Sequence, residues 1–157
     1  MKSMGGDYYW PHSVNEADNA PGVLILAHGY GEEGDADLYN SLEDFSETYQ
    51  TTVAYGMSMM SSRHIKCSLL EMNQAGSGKT YIVPVSASPF NTLVRQWRYI
   101  FNLENDYSYA NVEKVNSDGA VFLEPIGDHP RAQEIVLDFA NEISSDPSNE
   151  VVLIVAH

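Results

Sequence analysis

The stretch that most constrains this chain is residues 22–31, GVLILAHGYG. A run of apolar residues, Val23, Leu24, Ile25 and Leu26, stops abruptly at Ala27-His28-Gly29, and an acidic segment, residues 32–37, follows the turn. This reads as a buried strand that delivers one imidazole to its carboxyl end. In open α/β sheets that end is where ligands bind. The last seven residues, VVLIVAH, nearly repeat the pattern up to the point where the glycine would come. His28 is therefore the first candidate for a functional residue.

The rest of the chain alternates between strand and helix signals. Leu38, Leu42, Phe45 and Tyr49 fall at spacings of four, three and four and predict an amphipathic helix. Residues 51–57, TTVAYGM, are β-branched and aromatic before a glycine and predict a second strand. Ile65, Leu69 and Met72 mark a second helix, stopped by Gly76-Ser77-Gly78, and residues 81–85 give a third strand. Pro89 suits the first turn of a third helix carrying Leu93, Val94, Trp97, Ile100 and Phe101. Residues 102–118 are polar and show no periodicity, and are read as an excursion over the site. A short strand at residues 120–123 leads through EPIGDHP to a helix whose expected core is Ile135, Val136, Phe139 and Ile143. Residues 151–156 lack polar alternation and are expected to form a strand covered on both faces. The alternation predicts an α/β fold with a mainly parallel sheet flanked by helices. The domain organisation expected is an irregular leader over residues 1–21 and one α/β domain over residues 22–150. Residues 151–157 are then the first strand of a second, truncated repeat.

Composition narrows the function. At 157 residues the chain has room for one ordinary domain. Its 22 acidic against 8 basic residues give a formal charge of -14, which repels phosphate backbones and anionic lipid. Nucleic acid and membrane are therefore not expected partners, and nothing in the sequence has the length of a signal peptide core or a membrane span, so a cytoplasmic location is expected. The single cysteine, Cys67, excludes an intramolecular disulfide framework and reads as a buried small residue.

Two motifs fail on inspection. Gly76-Ser77-Gly78-Lys79-Thr80 ends like a phosphate loop, but the first glycine of that signature would fall at Asn73, and the segment leads from helix into strand rather than the reverse. It reads as a helix stop, and no nucleotide cofactor is expected. A serine hydrolase would need a Gly-x-Ser-x-Gly turn; Gly56-Met57-Ser58-Met59-Met60 lacks the second glycine, which leaves Ser58 a poor nucleophile. A third reading makes His28 a metal ligand or proton acceptor, since neutral imidazole suits Co, Ni, Fe and Zn. His12 and His64 read as surface residues, and His129 as a helix cap or a site residue.

Taken in order, LILAHGYG, TTVAYGM, YIVPVSASPF with a helix ending RYIF, GDHPRAQEIVLDFANEIS and NEVVLIVAH resemble the CbiX-type sirohydrochlorin chelatase family, a class II chelatase group, from residue 22 to the end. The resemblance implies a flavodoxin-like three-layer α/β sandwich, duplicated in longer members, that inserts Co2+, Fe2+ or Ni2+ into a tetrapyrrole without ATP. It implies a catalytic and metal-binding role for His28, with Glu32 or Glu33 assisting through charge, and a second metal ligand at His157. Gly29, Met57, Ser86, Ser88 and Phe90 would contact the substrate, with Met59 and Trp97 as further apolar contacts. The implied partners are the tetrapyrrole and either a second chelatase-like half or a second copy of the chain. The sequence departs from the family pattern after the third strand, where a second histidine is expected and Ser86-Ala87-Ser88-Pro89-Phe90 stands instead. A domain that binds metal or tetrapyrrole without turnover is the alternative this departure raises.

Overall fold

The computed structural model describes residues 8–11, 20–56, 61–117 and 119–154. Strands β1 (Tyr8–Pro11), β2 (Gly22–Ala27), β3 (Gln50–Tyr55), β4 (Thr80–Pro84) and β5 (Val121–Phe122) form one sheet in the order β1-β3-β2-β4-β5. β2 pairs in parallel with β3 and β4, β5 pairs in parallel with β4, and β1 joins β3 antiparallel at the edge. Counted from β2, the parallel strands lie second, first, third, fourth, as in flavodoxin-like sheets. The chain leaves β2 in one direction and returns to its other side, so the carboxyl ends of β2 and β4 bracket a topological switch point.

Five helices accompany the sheet: α1 (Gly31–Asn40), α2 (Glu43–Ser46), α3 (Arg63–Gln74), α4 (Thr92–Ile100) and α5 (Pro130–Ile143). Every residue of β2 and β3 is buried, as the unbroken apolar run in residues 23–26 predicts for a strand covered on both faces. Leu24, Leu26, Ala54 and Ile82 face α3 and α4, where Ile65, Leu69, Met72, Val94, Trp97 and Ile100 complete the larger core. Val23, Ile25, Val53 and Tyr55 form a second, smaller core with Leu38 and Leu42 beside them. Each fully buried aliphatic side chain contributes about 2 kcal/mol through apolar area removed from water, before the cost of ordering the chain.

Several expectations change. The helix read from Leu38 to Tyr49 is two: α1 starts seven residues earlier, with Glu32 and Glu33 in its first turn where the helix dipole favours anions. It ends at Asn40, and Ser41 Oγ bonds back to the Leu38 carbonyl at 2.7 Å. Phe45 and Tyr49 meet at the surface with ring centroids 4.8 Å apart and planes tilted by 36°, outside the core. α4 starts at Thr92, not at Pro89, because Asn91 Oδ1 accepts from the Leu93 amide at 2.7 Å and caps the helix there. Within the expected irregular leader, residues 8–11 pair as β1, and Trp10 stacks on Tyr39 with centroids 4.0 Å apart. Cys67 is half-buried. His64 is not a surface residue: only 4% of it is exposed, and desolvation lowers its pKa to about 4. The GSGKT segment is a helix stop as expected, with Gly76 at φ 79° before the chain enters β4.

The largest departure is at the carboxyl side. α5 buries none of its residues, and the expected core positions Ile135, Val136, Phe139 and Ile143 are all exposed. Residues 151–154 form no strand and are exposed as well, while residues 155–157 lie outside the described region. Among the described residues no helix is long and apolar enough to cross a membrane.

Candidate functional site

The carboxyl edge at the switch point opens into a cavity of about 1120 Å³, lined mainly from the ends of β2 and β4, the start of α4 and the segment after β5. His28 and Tyr30 come from the turn after β2, Val85, Ser86 and Ala87 from the turn after β4, and Glu124 and Ile126 from the segment after β5. Asn91, Thr92 and Leu93 at the start of α4 and Tyr109 from the polar excursion complete the wall. The residues 102–118 excursion therefore does reach the site. Gln96, fully buried in α4, holds it: Oε1 accepts from the amides of Ser108 and Tyr109 at 3.0 Å each, and Nε2 donates to the Ala110 carbonyl at 2.8 Å. Tyr109 then meets Thr92 hydroxyl to hydroxyl at 2.7 Å.

The turn that presents His28 is fixed from below. Gly29 and Gly31 take φ of 100° and 86°, the region that favours glycine, and at Gly29 the requirement is conformational, since a Cβ there would meet Asp35 Oδ1 only at 3.9 Å. Asp35, 6% exposed in α1, accepts from the Tyr30 amide through Oδ1 at 2.6 Å. Its backbone carbonyl accepts from the buried Tyr55 hydroxyl at 2.7 Å. Burial first, and then the Asp35 carboxylate, raise the Tyr55 phenol well above its usual range, so it stays a neutral donor. Tyr30 is raised by the same two causes in the same order. His28 itself is exposed, with Nδ1 3.1 Å from the Gly29 carbonyl oxygen. In the tautomer that carries its proton on Nδ1, the ring donates there and keeps the Nε2 lone pair for a ligand.

The expected site residues divide. His28 and Ser86 line the cavity and Gly29 shapes the turn between them and α1. Ser88 lies behind Ser86, whose hydroxyl donates to the Ser88 carbonyl at 3.2 Å, and does not line the wall. Phe90 is 86% exposed and also outside the lining. Glu32 and Glu33 are exposed in the first turn of α1 and do not line the cavity. Trp97 is core. Met57, Ser58, Met59 and His157 lie outside the described residues. His129 caps α5, its Nδ1 accepting from the Arg131 amide at 3.2 Å. Among the described residues no three His, Cys, Asp or Glu side chains gather as a metal-binding group.

Two residues escape the sequence reading. Glu124 is the carboxylate that lines the cavity, with Oε1 accepting from Arg98 Nη1 at 2.8 Å. It directly follows the short strand at residues 120–123, so the rule that singled out His28 applies to it equally. Asp35 sits within the acidic segment 32–37, and only its burial, not its spacing, separates it from its neighbours.

No protein-family model matches the sequence, and a search of curated proteins finds no match. Among solved structures, the chain is similar to the crystal structure of a protein from Marinobacter aquaeolei VT8 that was given the provisional name of a cobalamin (vitamin B12) biosynthesis CbiX protein. The two are 18% identical, the match covers 78% of this chain and 93% of that one, and the TM-score is 0.51. The chain thus shares the α/β fold of that CbiX protein, with the switch-point cavity and His28 at the carboxyl edge of the shared sheet.

Proposed function

We propose that the chain is a chelatase that inserts a divalent ion, Co2+ or Fe2+, into sirohydrochlorin or a related tetrapyrrole. The observation that carries this reading is His28 at the rim of a 1120 Å³ cavity, at the switch point of a sheet whose fold is that of a CbiX protein. Metallation needs a donor that holds an incoming ion with open coordination positions, a base for the two pyrrole protons, and an apolar wall for the ring. His28 Nε2 suits the first task. Glu124, on the cavity wall with Oε1 accepting from Arg98 Nη1, suits the second better than Glu32, which stands outside the cavity. Val83, Val85, Leu93 and Ile126 supply the wall, with Tyr30 and Tyr109 as flat faces beside it. Both the metal and the macrocycle are substrates here, and no nucleotide is required.

The lone imidazole also supports a second reading, a domain that binds a tetrapyrrole or its metal without turnover. The two separate in one titration. Sirohydrochlorin added to the protein should shift its absorption saturably under either reading, and subsequent Co2+ should convert it to the metallated spectrum faster than in buffer alone only for the chelatase. No saturable shift would sink both.

A further inference from the structure

We propose that the switch-point cavity takes a tetrapyrrole by an edge that carries no carboxylates, and so favours macrocycles with few acidic side chains over sirohydrochlorin. This rests on the reading of the cavity as a tetrapyrrole site. The chain has few cations and places them elsewhere. All of its lysines and arginines except Lys2, which lies outside the described residues, stand off the cavity wall. Lys66 pairs with Glu113, Arg95 with Glu104 and Arg131 with Glu134. Lys79 lies over the Tyr81 ring just ahead of β4, at the opposite edge of the sheet. Arg98 reaches the wall through Glu124, but its charge is met there: Nη1 donates to Glu124 Oε1 at 2.8 Å, and Nε lies 3.4 Å from Glu104 Oε1.

The polar groups of the wall are turned on the protein as well. Thr92 and Tyr109 bond hydroxyl to hydroxyl, Ser86 donates to the Ser88 carbonyl, and Asn91 Oδ1 accepts from the Leu93 amide. Besides His28 and Tyr30, what remains to meet a ligand is the apolar surface of Val83, Pro84, Val85, Ala87, Leu93 and Ile126. His28 holds an ion only as neutral imidazole, so in that role it offers a carboxylate no charge. Outside the wall, Glu32 and Glu33 are exposed just after the turn that carries His28, and the whole chain has a formal charge of -14. A carboxylate that enters therefore crosses a negative field and leaves water without gaining a cation, which is a net cost. On sirohydrochlorin every pyrrole ring carries an acetate and a propionate, so any edge that enters brings that cost with it. A ring with propionates on one edge only can enter by the other and leave its charges in water.

Uroporphyrin and deuteroporphyrin test this, since the first repeats the acetate and propionate of sirohydrochlorin on every ring and the second carries propionates on one edge alone. Each is titrated with the whole chain at low and high salt and followed by its absorption. Deuteroporphyrin should bind at least about tenfold more tightly at low salt, with the gap narrowing as salt screens the acidic surface. Ala87→Lys puts a cation on the exposed wall and should raise the affinity for uroporphyrin severalfold, closing most of the gap. Glu47→Lys, exposed ahead of β3 at the opposite edge of the sheet, should leave the gap open. Equal affinities, or tighter uroporphyrin, overturn the inference and leave the tetrapyrrole reading standing. No saturable shift with either ring overturns that reading and the inference with it. A gap that Ala87→Lys leaves unchanged, or that Glu47→Lys closes equally, also overturns the inference, because general apolarity or surface charge would then set it. Should Ala87→Lys lose its fold, Ile126→Lys on the same wall replaces it.

Discussion

At the scale of single residues, the chain spends buried polar groups on placing other groups. Asp35 and Tyr55 hold the turn that carries His28, and the two glycines allow the turn without strain. His64 is a different case, a histidine in the first turn of α3 that is buried and held neutral by desolvation. Its pKa of about 4 in the folded chain lies below the 6.5 of the unfolded chain, so between those values the unfolded state binds more protons. Stability therefore falls as pH drops from 6.5 toward 4, by about 2 to 3 kcal/mol from this group. Urea denaturation at several pH values should show that loss, and His64→Phe should remove most of the slope in that window; an unchanged slope would contradict the assignment. The sequence placed His64 on a helix flank and read it as exposed, because Ile65, Leu69 and Met72 define the apolar side and a neighbouring histidine at the edge of that side looks the same in or out.

At the scale of elements, what was legible followed from period and turn chemistry. The strands β2, β3 and β4 and the helices α3 and α4 lie within a few residues of their expected bounds, since their apolar residues face cores on the same molecule. The start of α1 leaves no hydrophobic spacing to read, because its one buried residue is Asp35. α5 is the opposite case: its stripe is clear, but periodicity tells which side is apolar and not whether that side is covered within the same chain. The non-periodic residues 102–118 give no signal because what orders them is hydrogen bonding to neighbouring helices, with Gln96 holding residues 108–110, Tyr99 holding Asn111 and Lys66 holding Glu113. Gln96→Leu keeps the volume but leaves the Ser108 and Tyr109 amides without their acceptor, and should cost about 2 to 4 kcal/mol. Amide exchange at Ser108 and Tyr109 should accelerate more than exchange in β2. Equal exchange in variant and wild type would show that the excursion is held by something other than Gln96.

At the scale of the whole molecule, the fold concentrates its chemistry on one edge. The switch point between β2 and β4 is set by the order of the parallel strands, and it was readable because β2 announces itself as a buried strand ending in a histidine. What the sequence could not supply was which carboxylate reaches that edge: Glu32 is near His28 along the chain, yet Glu124, ninety-six positions away, lines the cavity with it. The most direct test of the account is the initial rate of Co2+ insertion into sirohydrochlorin, followed by absorbance, for wild type, His28→Ala and Glu32→Gln. The account predicts a wild-type rate above the buffer rate, a loss of at least tenfold of that excess in His28→Ala, and little change in Glu32→Gln. A wild-type rate equal to buffer, or a His28→Ala rate equal to wild type, would contradict it.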